Sequence, residues 1–364
     1  MGCGQSSSGG KSRPSEVKTN NVKLLLLGSG GVGKSTIFKQ MRILYASGFT
    51  DQDRHWAKGC ITENILEVLE DLDALTEDLD IDLLPDNEEL MDEIKPALLE
   101  FRGRDVNAPP PAITVWGAVE KLWADPGIQK AYKTAKSRSV GSNSMGAESN
   151  NLIDWASYFL AKIDELKQPD FVPTDNDILR LRRATTDSDR IEYDMQVKNM
   201  VGKSSPLHVS CTDVGGQAHE QAEWSKHAAN LSAILYVANS SAYNIAQQDG
   251  LNMLKAQIKL LETVCKTPGF TEAIVIVLLN KIDLLEERLQ TVKVADFFED
   301  YDDDNSLDSV KDFFANKFKA VRNDGQNINV IETTATNTKL MEEVLASVGQ
   351  AVMQKTLADA KYFG

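Results

Sequence analysis

Cysteine is scarce in this chain, and long uninterrupted apolar runs are missing. The four cysteines are Cys3, Cys60, Cys211 and Cys265, and no two of them form a C-x-x-C pair. So few cysteines exclude a disulfide framework and favour a reducing, intracellular setting. No apolar run reaches the roughly 18 residues that a transmembrane helix needs. No apolar block near the N-terminus is typical of a signal peptide.

Positive charge is also in short supply. The 364 residues include 39 Lys and Arg against 54 Asp and Glu, which gives a formal net charge of −15. A general nucleic-acid binder neutralises phosphates with clustered basic side chains, so this balance argues against nucleic acid as a partner. Hydrophobic residues make up 42% of the chain. That share supports a full buried core, and the length suggests about two or three domains.

The N-terminal segment, residues 1–20, is polar and rich in Gly and Ser, which predicts a flexible tail. Gly2 and Ser6 fit the M-G-x-x-x-[ST] pattern for N-myristoylation. Cys3 can take a second lipid, and two lipids anchor a protein stably where one myristoyl chain binds only marginally. The alternative is an unmodified disordered tail. We favour lipidation because Gly and Cys directly follow Met1.

Strand and helix patterns divide the rest of the chain. Apolar strands alternate with helical stretches in residues 21–54 and 176–364, which suits a mostly parallel sheet covered on both faces. RIEYDMQV and PLHVSCTD are predicted to form a hairpin. Residues 55–175 instead place leucines at helical spacing among carboxylates. We predict an inserted all-α domain there, with an interruption near Pro85 and with the carboxylates on a solvated helix face.

The segment GSGGVGKST, residues 28–36, matches G-x-x-x-x-G-K-[ST] between a predicted strand and a predicted helix. Glycines let backbone N–H groups curve around phosphates, and the following helix N-terminus favours negative charge. Lys34 is predicted to reach the β- and γ-phosphates, and Ser35 to ligate Mg²⁺. A chance glycine-rich turn is disfavoured by the flanking strand and helix. The nucleotide-binding residues predicted here are Gly31, Val32, Gly33, Lys34, Ser35 and Thr36.

Two later strand ends indicate that the base is guanine. Asn280, Lys281 and Asp283 follow an apolar strand, where α/β sheets place ligand loops. The Asp283 carboxylate can accept both the ring N–H and the exocyclic amine of guanine, a donor pair that adenine lacks. This argues against an ATPase. A second strand ends in TTAT, where Thr334, Ala335 and Thr336 are predicted to border the base, with the Ala335 N–H on the guanine oxygen.

The segment TDVGGQ has the groups that sense a γ-phosphate. Asp213 follows an apolar strand and suits the acidic side of a Mg²⁺ site, Gly216 can donate its N–H, and Gln217 can orient the attacking water. DILRLRRATT follows the helical insert. An Arg there can stabilise the transferring phosphoryl group, and a Thr hydroxyl can complete the metal coordination.

Together these motifs resemble the alpha subunits of heterotrimeric G proteins. The resemblance runs from Asn21 to about Phe363 and includes the helical insertion that small GTPases lack. It is carried by KLLLLGSGGVGKSTIFKQMRILY, LWADPGIQ, VPTDNDILRLR, TTDSDRIEY, DVGGQ, LNKIDL and TTATNTK, all in family order. The resemblance implies an α/β P-loop NTPase (Ras-like) domain with a mostly parallel six-stranded sheet and an inserted all-α domain.

The resemblance also implies roles and partners. Arg182 matches the built-in arginine finger and Thr185 the Mg²⁺-binding switch threonine, while Asp154, Leu179 and Arg180 match positions that face the nucleotide. GTP or GDP with Mg²⁺ would be bound, and GTP hydrolysis would time a molecular switch. The implied partners are a beta–gamma dimer, a G-protein-coupled receptor, RGS-type GTPase activators and effectors. The implied location is the cytoplasmic face of the plasma membrane.

Some positions depart from the family pattern. Gly31 and Val32 stand where family members usually carry Glu-Ser, and that Glu commonly pairs with the finger arginine in the GDP state. AHEQAEW follows Gln217 where the family is Arg-rich, and Ala256 stands where an acidic residue usually pairs with one of those arginines. Two other functions remain open at this point. One is a nucleotide-bound scaffold without turnover, and the other is a lipid-anchored small GTPase with an unrelated insertion.

Overall fold

The computed structural model describes residues 20–102, 115–137, 149–181, 189–198, 204–215, 224–247, 250–322 and 327–362. Its strands are β1 Asn20–Leu27, β2 Asp189–Lys198, β3 Ser204–Asp213, β4 Ala233–Asn239, β5 Ile274–Asn280 and β6 Asn329–Glu332. They form a six-stranded sheet in the order β2-β3-β1-β4-β5-β6. Among these six described strands only β2 and β3 pair antiparallel, so the predicted hairpin and the mostly parallel sheet are confirmed.

Helices flank the sheet and fill the insert between β1 and β2. Those described are α1 Lys34–Tyr45, α2 Asp51–Asp78, α3 Leu90–Arg102, α4 Trp116–Ala124, α5 Pro126–Ser137, α6 Ser149–Leu160, α7 Ile163–Leu166, α8 Asp175–Arg180, α9 Met253–Lys266, α10 Ile282–Leu289, α11 Leu307–Lys319 and α12 Thr338–Tyr362. Over the described residues, none of them combines the length and apolar character needed to cross a membrane.

The four leucines of β1 explain how the sheet is buried on both sides. Leu24 and Leu26 pack into the cluster that contains Met41 of α1. Leu25 and Leu27 point the other way, into the cluster formed with α9 and α11. Successive strand side chains face opposite sides of a sheet, so a continuous apolar run is what a central, doubly covered strand requires.

The insert has a hydrophobic core of its own. Leucines of α2, such as Leu69 and Leu72, are fully buried against Ile94 of α3 and Phe159 of α6. Thr50 begins α2 with a capping box in which its side chain and that of Asp53 each bond the other's backbone N–H. A short 3₁₀ turn at Pro85–Asn87 separates α2 from α3, which confirms the predicted interruption.

Asp177, in the first turn of α8, is a buried carboxylate that ties this helix to the end of α6. Its Oδ2 accepts hydrogen bonds from the N–H and the hydroxyl of Thr174 at 2.8 and 2.7 Å. Its Oδ1 accepts from the Tyr158 hydroxyl and from Lys162 Nζ, both at 2.8 Å. Burial acts to raise the pKa of Asp177, but these hydrogen bonds outweigh it and lower the pKa below its usual value.

Replacing Asp177 with Asn should destabilise the insert, because it leaves the Lys162 ammonium without its buried carboxylate. Breaking comparable buried pairs costs about 3 kcal/mol. A lowered folded-state pKa stabilises the fold above about pH 4, and this contribution is lost as pH falls through the folded value. In urea unfolding, the free energy of unfolding should be higher for wild type than for Asp177→Asn. This difference should be constant above about pH 5 and should shrink below about pH 4.

The matched control is Asp164→Asn, because the Asp164 side chain is 85% exposed. It should change the free energy of unfolding by less than about 1 kcal/mol. If Asp177→Asn lowers the free energy of unfolding by the same amount at neutral pH and at about pH 3.5, a charged Asp177 in the folded protein is contradicted.

Candidate functional site

The loop between β1 and α1 has a shape that only glycine allows at two positions. Gly28 has φ of 144° and Gly33 has φ of 104°. A Cβ on Gly28 would lie 2.4 Å from the backbone oxygen of Val237, and one on Gly33 would lie 2.2 Å from Asn280 Nδ2. The loop therefore runs in close contact with the ends of β4 and β5.

Lys34 begins α1 and is only 7% exposed. Its Nζ donates to the carbonyl oxygens of Gly28 and Ser29, both at 3.0 Å. The ammonium is thus held against the loop, next to the first turn of a helix. A fixed cation beside a helix N-terminus is a favourable place for phosphate.

Ser35 and Asp213 bring two oxygen donors together beside this loop. The Ser35 hydroxyl donates to Asp213 Oδ2 at 3.3 Å, and Asp213 is 1% exposed at the end of β3. β3 lies parallel to β1, with Asp213 opposite Leu26. A hydroxyl and a carboxylate are the hard oxygen ligands that Mg²⁺ takes in nucleotide sites, so the donor set fits this ion.

Asn280 connects the phosphate loop to the loop after β6. It is 1% exposed at the end of β5. Its Nδ2 donates to the backbone oxygen of Val32 at 2.8 Å. Its Oδ1 accepts from the Thr333 hydroxyl and from the Ala335 N–H, both at 3.0 Å. One side chain therefore fixes the phosphate loop and both predicted base-binding loops relative to each other.

The predicted base-binding residues lie at one edge of the sheet. Lys281 has a left-handed backbone with φ of 64°, and Asp283 follows in the first turn of α10. Gln40 of α1 donates to the Ala335 oxygen at 2.8 Å, so the segment Thr334–Thr336 lies beside the phosphate loop's helix. The Ala335 N–H, predicted to face a guanine oxygen, donates to Asn280 in this structure.

The chain leaving the insert is bonded to α1. The Thr36 hydroxyl donates to the Leu179 oxygen at 3.3 Å. Lys39 Nζ donates to the oxygens of Ile178 and Leu181 at 2.9 and 2.8 Å. Leu179, predicted to face the nucleotide, is therefore hydrogen-bonded directly to α1, the helix that follows the phosphate loop.

The chain resembles one family over most of its length. A family model described as G-protein alpha subunit matches residues 6–352. The chain belongs to the G-protein alpha subunit family. Family membership makes this alpha subunit a signalling switch that binds guanine nucleotides, in a family whose members are generally GTPases.

Individual relatives agree with the family model. The chain is 31% identical over 350 residues to guanine nucleotide-binding protein subunit alpha-13 of Homo sapiens. The aligned region covers 92% of this chain and 86% of that protein. It is 28% identical over 372 residues to the G-protein complex alpha subunit gpaA of Aspergillus fumigatus, covering 98% of each. It is 29% identical over 377 residues to a guanine nucleotide-binding protein subunit alpha of Coprinellus congregatus, covering 99% of each.

Other predicted residues of this alpha subunit fall outside the described part of the structure. Asp154 lies on α6, but its side chain is not among those described. The remaining predicted residues outside the described ranges are Gly2, Cys3, Arg182, Thr185, Gly216 and Gln217.

Sequence reasoning missed two contacts of the alpha subunit that its structure brings to the site. Lys39 lies one helical turn beyond Ser35 on α1, so its spacing could have placed it on the same face. Arg180 was predicted to face the nucleotide. Its guanidinium lies over the ring of Tyr158, 4.3 Å from the ring centroid, and no spacing in the sequence indicates this stacking.

Gly33→Ala should weaken GDP binding at least tenfold, because its methyl group requires a shift of Asn280 or of the loop. The matched control is Gly30→Ala in the same loop, where an added Cβ meets no atom within 4 Å. We expect Gly30→Ala to bind GDP within about twofold of wild type. Titration with a fluorescent GDP analogue measures both, and equal losses would contradict the close approach at Gly33.

Proposed function

We propose that this alpha subunit is a Mg²⁺-dependent GTPase that relays a membrane receptor's signal to effectors until it hydrolyses its GTP. The observation that supports this most directly is the Asn280 network, which joins the phosphate loop to both base-binding loops. The Ser35–Asp213 pair lies at the same edge of the sheet. The loops that would bind the triphosphate, its metal and the guanine base are therefore adjacent at this edge of the sheet.

The phosphate chain would be held by backbone N–H groups of residues 31–36 and by the Lys34 ammonium. Ser35 and Thr185 would hold Mg²⁺, with Asp213 beside them. When bound, the metal neutralises charge on the β- and γ-phosphate oxygens. The Gly216 N–H donates to the γ-phosphate, so the segment after β3 senses whether that phosphate is present.

Hydrolysis in this proposal needs two further side chains. Gln217 orients a water whose oxygen attacks the γ-phosphorus, and a proton leaves that water for phosphate oxygen. The bond from the γ-phosphorus to the β–γ bridging oxygen breaks, and GDP departs with that electron pair. Arg182 donates to the phosphoryl oxygens while charge builds on them in the transition state.

Guanine selection in this proposal depends on Asp283. Its carboxylate accepts from the ring N–H and the exocyclic amine, and the Lys281 stem covers the base. Adenine offers no matching pair of donors, so it would leave this carboxylate poorly satisfied. Thr334, Ala335 and Thr336 border the base from the neighbouring loop, and Asp154, Leu179 and Arg180 face the nucleotide from the side of the insert.

The insert, which we place at residues 55–175, closes over the nucleotide in this proposal. Lys136 on α5 and Glu287 on α10 form an ion pair at 2.6 Å between the insert and the GTPase domain. Burial acts to lower the pKa of Lys136, but the hydrogen bond that Lys136 donates to Glu287 outweighs it and raises the pKa. Because α10 also carries Asp283, this pair holds the insert beside the base-binding loop.

The membrane attachment in this proposal is supported by the N-terminal motif, and the partners are supported by the family. The proposed lipids are a myristoyl group on Gly2 and a thioester-linked chain on Cys3, which would place the protein at the cytoplasmic face of the plasma membrane. The proposed partners are a beta–gamma dimer in the GDP state, a receptor that promotes nucleotide release, RGS-type activators and effectors.

Single-turnover hydrolysis of preloaded GTP tests the catalytic proposal. Arg182→Cys and Gln217→Leu should each slow the reaction by about 100-fold or more, because each removes a group needed in the transition state. GTP loading should remain stoichiometric in both variants. Unchanged hydrolysis rates would favour the nucleotide-bound scaffold instead.

Charge reversal tests the pair between the insert and α10. An exposed ion pair contributes up to about 1 kcal/mol, so Lys136→Glu should speed GDP release by up to about fivefold. The double variant Lys136→Glu/Glu287→Lys should restore slow release. Lys130→Glu reverses an exposed lysine on the same helix and is the control. Equal acceleration by the single and double variants would rule out the pairing as the cause.

A further inference from the structure

The short helix α8 ends where α1 can bond its last carbonyl groups. The final carbonyls of a helix have no partner within it. Here Lys39 Nζ donates to the oxygen of Ile178 at 2.9 Å and to that of Leu181 at 2.8 Å. Thr36 bonds the oxygen of Leu179 between them. A lysine at a helix C-terminus also opposes the negative end of the helix dipole.

The other end of α8 is fixed to the insert. Asp177 is buried and accepts from Tyr158 and Lys162, and the Arg180 guanidinium lies over the Tyr158 ring. The helix is therefore held by the insert at its start and side, and by the GTPase domain at its exit. The exit contacts come from α1, the helix that also carries Lys34 and Ser35.

The exit contacts restrain the last described residue of this segment. The Leu181 carbonyl belongs to a planar peptide unit, so the hydrogen bond to its oxygen restricts how the chain can continue after Leu181. Lys39 acts on this unit from one helical turn beyond Ser35, a predicted Mg²⁺ ligand.

We propose that Lys39 is a positioning residue for GTP hydrolysis, which bonds the end of α8 and thereby aligns Arg182 with the γ-phosphate. This rests on the proposed function, in which Arg182 stabilises the transition state. A misplacement of about 1 Å in a catalytic group can cost about 100-fold in rate. Lys39 does not touch the reacting atoms in this proposal and acts only through Arg182.

Single-turnover hydrolysis of preloaded GTP tests the proposal. Lys39→Met should slow the reaction roughly ten- to 100-fold with stoichiometric GTP loading, and Lys39→Arg, which keeps a cation able to donate to two carbonyls, should retain most of the rate. The matched control is Lys58→Met. Lys58 Nζ makes the same type of contact, to the oxygens of Gln168 and Pro169 at 3.3 and 2.7 Å within the insert, and its loss should leave the rate unchanged.

A double-mutant comparison separates positioning from a general structural role. If Lys39 acts through Arg182, Lys39→Met should slow hydrolysis less than about twofold further in the Arg182→Cys background. An equal loss in both backgrounds would overturn the proposal, since Lys39 would then act directly on the nucleotide or on the fold. If Lys39→Met does not fold, Lys39→Gln takes its place with the same expected results.

Hydrolysis rates of the Arg182→Cys and Lys39→Met variants distinguish the proposed catalytic function from the positioning role of Lys39. If Arg182→Cys leaves hydrolysis unchanged, the proposed catalytic function fails, whatever Lys39 does. If Arg182→Cys slows hydrolysis and Lys39→Met does not, only the positioning role of Lys39 is overturned.

Discussion

The side-chain amide of Asn280 is the contact on which the rest of the site depends. It donates to Val32 in the phosphate loop and accepts from Thr333 and Ala335 after β6. All of these groups are buried, where a hydrogen bond left unmade costs about 1–3 kcal/mol. Neither loop can move without breaking such a bond. The same amide explains Gly33, since any Cβ there would collide with Asn280 Nδ2.

The sheet places this amide correctly because its strands are parallel. β1, β3, β4, β5 and β6 all end at the same edge, so the loops that follow them converge there. β1 is central because its alternating leucines are buried on both faces. Asp213 then reaches Ser35 from the neighbouring strand, and Asn280 reaches Val32 from two strands away.

The sequence alone predicts the strands, the insert and the loops that meet at this edge. Alternation and apolar runs are local signals, and the segments GSGGVGKS and NKID have fixed spacings whose chemistry can be read directly. The three hydrogen bonds of Asn280 could not be predicted, because their partners lie 248, 53 and 55 positions away along the chain. The Lys136–Glu287 pair joins residues 151 positions apart, and no local pattern marks it.

The same limit applies at the exit of α8. The spacing of Lys39 places it on the same face of α1 as Ser35, but nothing in the sequence indicates which groups it contacts. Its two acceptors lie 139 and 142 positions away, beyond the whole insert. Long-range contacts of this kind arise only once the insert and the sheet have folded together, so the acceptors of Lys39 could not be predicted from spacing alone.

In the proposed mechanism, the unusual residues of the phosphate loop change how Arg182 would be controlled. Val32 is 2% exposed, and its backbone oxygen accepts the hydrogen bond from Asn280. The conformation of the loop therefore does not depend on a serine side chain at this position. Gly31 is exposed with φ of 72° and supplies no carboxylate where the family usually has Glu. The Lys39 contacts reach α8 through backbone oxygens and depend on neither position. In that mechanism, position 31 supplies no carboxylate that would pair with Arg182 in the ground state, and an interaction realised only in the transition state is the kind that raises the rate.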